Sequence, residues 1–159
     1  MGLKRRIEKT VNERRRNIER IKKINLKKEI FGYPKFDELI IEQDRVVVLR
    51  EKLEELKNPE RYIDQFVKLI HECWKLGFSE LVYNLTVNNG LNKRGKLILL
   101  DFGEITFNKE RVKKDILNKR WEKAQNFKRD LPDKLKKYYK KEMEKHITLK
   151  NLNKYWKKK

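Results

Sequence analysis

The sequence predicts a mostly helical α+β domain, and three observations lead to this prediction. Charged residues make up 42% of the 159 residues and only 3 residues are proline, a composition that suits a soluble helical protein. A wide apolar stripe at helical spacing extends from residue 59 to residue 76. Short runs of apolar and β-branched residues, bounded by turn residues, lie on both sides of that stripe and indicate two small β-hairpins.

The first predicted element is a basic helix over residues 3 to about 24. The run Arg14-Arg15-Arg16 interrupts its apolar stripe, so we expect this helix to lie on the domain rather than inside it. The stripe consists of Ile7, Val11, Ile18 and Ile21.

Two short β-branched runs follow the chain break at Gly32 and Pro34. They cover residues 39–41 and 46–49, and the polar residues 42–45 between them predict a β-hairpin. Residues 51–58 then predict a short polar helix or a turn.

The strongest predicted helix covers residues 59–76, with Pro59 at its start and Gly77 after its end. Its eight apolar positions are Tyr62, Ile63, Phe66, Val67, Leu69, Ile70, Cys73 and Trp74. A second hairpin, with a turn at residues 93–95, precedes three predicted C-terminal helices. The first of these carries Val112, Ile116, Trp121, Ala124 and Phe127, the second carries Leu135, Tyr138, Tyr139 and Met143, and the third is capped by Thr148.

The charge distribution divides this single predicted domain, residues 1–159, into a scaffold and two basic flanks. Residues 1–37 hold 13 Lys and Arg against 5 Asp and Glu, and residues 111–159 hold 19 against 6. The middle, residues 38–110, holds 11 against 13. We therefore predict a basic N-terminal helix (1–35), a central unit (36–107) and basic C-terminal helices (108–159).

The segment KLILLDFGEITF, residues 96–107, contains the most informative motif. The apolar run 97–100 between two glycines predicts a buried strand that ends at Asp101-Phe102-Gly103. Asp101 either holds a metal ion against a phosphate or simply forms the turn after the strand.

The order of elements around this motif resembles the protein-kinase-like fold, in particular compact prokaryotic kinase-like proteins whose metal-binding turn reads Asp-Phe-Gly-Glu. The resemblance covers residues 36–107: a hairpin, a hinge, the long buried helix, an Asn-rich loop, a small hairpin and the Asp-Phe-Gly turn. It implies the central strands and the C-terminal lobe of that fold, with the N-terminal nucleotide lobe truncated.

The resemblance implies Mg²⁺ and ATP as cofactors and assigns residues to them. In the family, the Asp of the turn and an Asn of the catalytic loop hold the metal ion. Asp101 matches the first, and Asn89 matches the second, with Asn88 as a close alternative. The catalytic Asp lies five residues before the metal-binding Asn, but Asn84 stands there and cannot act as a base. Glu80 is the nearest carboxylate and the candidate base.

Several features depart from the kinase pattern. The sequence has no Gly-rich loop and no strand lysine before residue 36. We therefore expect an incomplete or inactive enzyme, a pseudokinase or half of a split kinase, with a separate polypeptide as the possible source of the missing lobe. The asparagines also fit a purely structural role, because Asn is a common turn residue.

The basic ends suggest an alternative function in binding nucleic acid or another polyanion. The densest clusters include Arg14, Arg15, Arg16, Lys136, Lys137, Lys140 and Lys141. Such clusters also occur on solvated helix faces and on helices that lie on a membrane surface. No apolar run approaches the roughly 20 residues of a membrane span, and the lone Cys73 suits packing in a reducing cytoplasm.

Overall fold

The computed structural model describes residues 3–37 and 40–157 and confirms a mostly helical α+β fold. The helices are α1 (Leu3–Lys22), α2 (Leu49–Lys52), α3 (Glu60–Lys75), α4 (Lys109–Leu117), α5 (Asp133–His146) and α6 (Leu149–Tyr155). The strands are β1 (Lys35–Asp37), β2 (Ile40–Glu42), β3 (Val47–Val48), β4 (Ser79–Glu80), β5 (Asn89–Leu91), β6 (Leu97–Leu99) and β7 (Ile105–Thr106). Of the predicted elements, Leu39 and the Lys158-Lys159 end lie outside the described residues.

Helix α3 is the centre of the domain, as its apolar stripe predicts. All eight predicted stripe residues are buried. Pro59 precedes the helix and Gly77 follows it with a φ of +86°, a left-handed conformation that glycine adopts without strain. Helices α5 and α6 pack against α3, so this helix orders most of the C-terminal half.

A second buried cluster lies between α1, the end of α3 and the strands. Phe31 contacts Phe78 and Phe102, with ring centroids 6.2 and 5.8 Å away. Cys73 belongs to the same cluster and is buried, which confirms the prediction that it packs in the core. The cluster ties the N-terminal helix region to the Asp-Phe-Gly turn.

Helix α1 contacts the domain through its C-terminal half. Ile18 and Ile21 are fully buried, whereas Ile7 is 54% exposed, so only part of the predicted stripe is used. This arrangement agrees with a helix that lies on the domain. Within the described residues, no helix has both the length and the apolarity required to cross a bilayer.

The predicted hairpin between residues 39–41 and 46–49 is wrong. Strand β2 pairs with β1, and β3 pairs instead with β5 in the antiparallel three-stranded sheet β3-β5-β6. The close approach of β3 requires a glycine on β5, because a Cβ at Gly90 would lie 2.5 Å from Val46 Cγ2 and 2.9 Å from the Val47 carbonyl oxygen. Strand β3 therefore pairs with a strand that is distant in the sequence, because packing across the domain brings the two together, and it does not pair with β2, which precedes it.

The second predicted hairpin is present as β5 and β6. Asn92 Oδ1 accepts hydrogen bonds from the backbone N–H groups of Arg94 and Lys96, at 2.9 and 3.0 Å. Gly95 takes a left-handed φ of +69° in the same turn. The turn therefore lies at the predicted residues 93–95, and Asn92 adds hydrogen bonds that close it.

The first predicted C-terminal helix is divided into three pieces. Helix α4 ends at Leu117, Lys119 has a positive φ of 45°, a 3₁₀ turn covers Arg120–Lys123 and a π-helical turn covers Asn126–Asp130. Trp121 and Ala124 are still buried, so the apolar pattern reflects core contacts and not one continuous helix. The third helix is confirmed, because Thr148 Oγ1 accepts a hydrogen bond from the Asn151 N–H at its start.

Candidate functional site

The Asp-Phe-Gly turn forms immediately after β6. Asp101 Oδ1 accepts a hydrogen bond of 2.7 Å from the Gly103 N–H, and its side chain is 33% exposed. The guanidinium of Arg14 on α1 lies 3.9 Å from the same oxygen. The carboxylate therefore has a structural partner within the turn, a cationic neighbour and an accessible side.

Phe102 holds this turn in place. Its ring is fully buried, with ring centroids 5.8 Å from Phe31 and 5.6 Å from Phe36. Because the ring is anchored in the second core cluster, the backbone on both sides of Phe102 has little freedom. The backbone of Asp101 is therefore held in a fixed position by the buried ring of its neighbour Phe102.

The strand pair β4–β7 joins the Asn-rich loop to this turn. The register pairs Ser79 with Thr106 and Glu80 with Ile105, and the Leu81 N–H donates to the Glu104 carbonyl oxygen at 2.9 Å. The loop of residues 81–88 thus begins, and the turn of residues 101–104 ends, at one small sheet. We call the side chains of this loop and turn, together with Glu80 and Asn89 at the ends of the loop, the loop–turn site.

Asn89 occupies the deepest position of the loop–turn site. Its side chain is fully buried, Nδ2 donates a long 3.4 Å hydrogen bond to the Asn84 carbonyl oxygen, and Oδ1 has no hydrogen-bond partner among the described residues. A buried oxygen without a partner costs roughly 1–3 kcal/mol. This oxygen is therefore a candidate ligand atom.

Asn88 has a different role from its neighbour. Its Nδ2 donates to Glu104 Oε2 at 2.8 Å, and its backbone carbonyl oxygen accepts from the Leu100 N–H at 2.8 Å. Its amide is therefore engaged with the end of the Asp-Phe-Gly-Glu turn. Of the two predicted asparagines, Asn89 is the one whose side-chain oxygen is buried without a described partner.

Glu80, the candidate base, lies inside the protein. It is 2% exposed, and its Oε1 accepts from the backbone N–H groups of Val82 and Asn84 at 3.1 and 3.5 Å. Oε2 is buried and has no described partner. Burial raises the pKa of Glu80 to about 8, and the nearby Glu104 charge acts in the same direction. A carboxyl group buried in this way does not reach a substrate hydroxyl, so its position disfavours the role of base.

The residues present fit a Mg²⁺ ion bound together with phosphates. Mg²⁺ is held by oxygen ligands, usually one or two protein carboxylates plus phosphate oxygens and water. Asp101 offers a partly exposed carboxylate and Asn89 offers an amide oxygen without a described partner. In the described part of the chain, no group of three or more His, Cys, Asp or Glu side chains could hold a metal ion. A metal at the loop–turn site would thus depend on the ligand for its remaining oxygens.

Sequence reasoning missed the residues that support the loop. The side chain of Asp130 is 6% exposed, accepts a 2.6 Å hydrogen bond from Thr86 Oγ1 and forms an ion pair with Arg50. On the other side, Gln43 Nε2 donates to the Leu99 and Phe31 carbonyl oxygens at 2.7 and 2.9 Å. No sequence pattern marks these residues, because each acts across a large separation along the chain.

The predicted basic residues lie on two different helices. On α1, Arg14 faces Asp101, and Arg15 and Arg16 are exposed. On α5, Lys136 pairs with Asp133 at 3.8 Å and Lys140 with Glu122 at 3.6 Å. Lys137 and Lys141 are exposed on α5. Three of these residues therefore have a carboxylate partner, namely Arg14, Lys136 and Lys140, and the other four have none among the described residues.

Comparisons of the chain with protein-family models, with curated proteins and with solved structures found no match.

Proposed function

We propose that this chain is a kinase-like protein whose loop–turn site contacts the metal-bound phosphates of a nucleotide without transferring a phosphate by itself. The order of elements supports the proposal, since a buried helix is followed by a loop, a small hairpin and the Asp-Phe-Gly turn. The pairing of β4 with β7 also supports it, because it joins the loop to the turn at one site.

The observation that carries the proposal is the buried Asn89 Oδ1, which has no partner among the described residues. Asn89 lies opposite Leu99 in the β5–β6 ladder, and Asp101 is two residues beyond Leu99. The Leu100 N–H still bonds to the Asn88 carbonyl oxygen, so the ladder extends to the edge of the turn. Residues related in this way share a face, with side-chain origins roughly 7–8 Å apart. Side chains that start at this separation can bring their oxygens toward a shared cation.

Mg²⁺ bound here would neutralise phosphate charge and orient the phosphates. Asp101 would supply the carboxylate ligand and Asn89 the amide ligand. Phe102 would keep the turn rigid through its burial. The role of the chain in this arrangement is to bind and orient.

We expect no phosphate transfer because the site has no residue suited to act as the catalytic base. Asn84 stands where the kinase resemblance requires a base, and an amide does not accept a substrate proton at neutral pH. Glu80 is buried and largely protonated at neutral pH because of its raised pKa. Glu104 Oε2 accepts a hydrogen bond from Asn88 Nδ2, which ties this carboxylate to the loop. A chain of this kind works as a nucleotide sensor or as part of a larger enzyme.

Calorimetry of the chain with Mg-ATP tests the proposal. We expect weak binding that requires Mg²⁺, is lost in Asp101→Asn and Asn89→Leu, and persists in the control Asp37→Asn, which removes an exposed carboxylate on β1. Binding that is equal with and without Mg²⁺, or unchanged in Asp101→Asn, would reject the site. Phosphate transfer by the isolated chain would reject the proposed lack of catalysis.

A further inference from the structure

A long basic groove lies between α1 and the segment that follows the Asp-Phe-Gly turn. Its main part has a volume of about 1030 Å³ and is bounded by α1, by residues 105–111 and by the end of α6. A second part of about 370 Å³ shares Arg20, Phe107, Trp156 and Lys157 with the first and continues to Lys23. We refer to these two connected parts as the α1 groove.

The positive charges of the α1 groove are not neutralised by the described part of the protein. Arg16, Arg20, Lys23, Lys109 and Lys157 line it, and none of them has a carboxylate partner among the described residues. The two carboxylates in its lining, Glu13 and Glu110, are already paired with Lys9 at 3.9 Å and Lys113 at 2.7 Å. The groove therefore presents these five cations to whatever it binds.

The α1 groove also contains flat surfaces. The Arg20 guanidinium lies 3.9 Å from the centroid of the Phe107 ring, and Phe107 and Trp156 are both half-buried. Trp156 is held in place because the next residue, Lys157, donates its N–H to the Trp74 carbonyl oxygen at 3.0 Å. Aromatic rings and arginine planes are the side chains on which nucleic-acid bases stack.

We propose that the α1 groove binds single-stranded nucleic acid, with the five cations along the phosphates and Trp156 and the Arg20–Phe107 pair against the bases. A duplex hides its bases and cannot use these surfaces, whereas an acidic peptide can use the charge but offers no planar bases. This inference does not depend on nucleotide binding at the loop–turn site. It places the nucleic-acid contact on α1 and the 105–111 segment rather than on α5.

The test compares two double charge reversals that change the net charge equally. Lys23→Glu/Lys109→Glu alters the groove, and Lys137→Glu/Lys141→Glu alters the exposed face of α5. Fluorescence anisotropy with labelled oligo-U RNA and oligo-dT DNA measures affinity across a salt series. For the native chain we expect log K to fall with log[salt] at a slope of about −3.5, because each of the five phosphate contacts on a single strand contributes roughly −0.7.

We expect the groove variant to lose more than about tenfold in affinity and the slope to flatten by about 1.4, because two contacts are removed. The α5 variant should stay within about threefold, because Lys137 and Lys141 do not line the groove and the charges of exposed side chains are screened by salt. Equal loss in both variants, or greater loss in the α5 variant, would overturn the assignment of the groove. A preference for RNA or DNA would identify which single strand the groove takes.

Tryptophan fluorescence separates base stacking from charge attraction. Trp74 and Trp121 are buried, so of the chain's 3 tryptophans Trp156 is the one that a ligand in the groove can quench. We expect oligonucleotides to quench this emission and Trp156→Leu to remove the effect. Inorganic polyphosphate, poly-glutamate or a duplex binding as tightly as a single strand would overturn the proposed ligand and leave a charge-only surface.

Discussion

The guanidinium of Arg14 lies 3.9 Å from Asp101 Oδ1, so the first helix supplies a cation to the Asp-Phe-Gly turn. Gly103 makes this approach possible, because a Cβ there would lie 3.0 Å from Arg14 Nε. Asn17 strengthens the same contact by donating from Nδ2 to the Ile105 carbonyl oxygen at 3.1 Å. Arg14 and a divalent cation would therefore compete for one carboxylate.

Arg14→Ala should raise the affinity for Mg-ATP by a few-fold. The substitution removes a positive charge next to the proposed metal position, and like charges at such distances repel even near the surface. Its effect on the free energy of unfolding should be below about 1 kcal/mol, because both side chains of the pair are partly exposed. Calorimetry and urea denaturation measure the two quantities. Arg15→Ala, at the adjacent exposed position, is the matched control, and reduced affinity in Arg14→Ala would contradict the competition.

Asp101 should contribute to folding as well as to binding. Asp101→Ala removes the acceptor of the Gly103 N–H and should lower the free energy of unfolding by about 1 kcal/mol. Asp101→Asn keeps an acceptor oxygen in the turn and should cost less. Chemical denaturation compares the two variants with the native chain. If both variants lost the same stability, the turn hydrogen bond would not be the cause.

The stability of the protein should fall between about pH 5 and pH 8 because of Glu80. The pKa of Glu80 is about 8 in the folded chain and near 4.5 when the carboxyl group is exposed. In this interval the unfolded chain has released the proton that the folded chain still holds, so rising pH favours unfolding by up to about 1.4 kcal/mol per pH unit. The stabilising effect is complete below pH 4.5 and is lost as the pH rises through 8.

Glu80→Gln should remove the contribution of Glu80, because the amide does not titrate, and should leave the opposite contribution of His71, whose pKa is lowered by burial. Unfolding in urea at several pH values between 5 and 8 measures the slope for the native chain and the variant. Glu54→Gln, at an exposed position on the 3₁₀ turn Leu53–Glu55, should leave the slope unchanged. An equal slope in the native chain and in Glu80→Gln would show that Glu80 is not the source of the pH dependence.

Gly90→Ala should destabilise the three-stranded sheet by roughly 1–3 kcal/mol, since the added methyl group would overlap Val46 and the Val47 carbonyl oxygen. Thermal or urea unfolding measures the loss. The double variant Gly90→Ala/Val46→Ala relieves the contact with the Val46 methyl group, so its loss should be smaller than the sum of the two single losses. Simple additivity would show that the contact with Val46 does not limit the packing of β3.

The sequence alone determined the elements whose signals are local. The stripe of α3, its start at Pro59, the turn around Gly95 and the cap at Thr148 depend on residues within a few positions of each other, and each is present in the structure. The mostly helical α+β class follows from these elements. The prediction of one helix from Val112 to Phe127 was wrong because apolar spacing also fits a chain that bends while it keeps the same core contacts.

Only the tertiary structure decided which distant residues meet. Strands β3, β4 and β7 contain two residues each, too few for a periodic pattern, and their partners are chosen by packing. The same holds for the pairing of Arg14 with Asp101, the burial of Glu80 and the uncommitted oxygen of Asn89. Whether a charged or polar side chain is neutralised, buried or available depends on neighbours far along the chain. The sequence therefore identified the residues of the candidate site, and the fold decided what each of them can do.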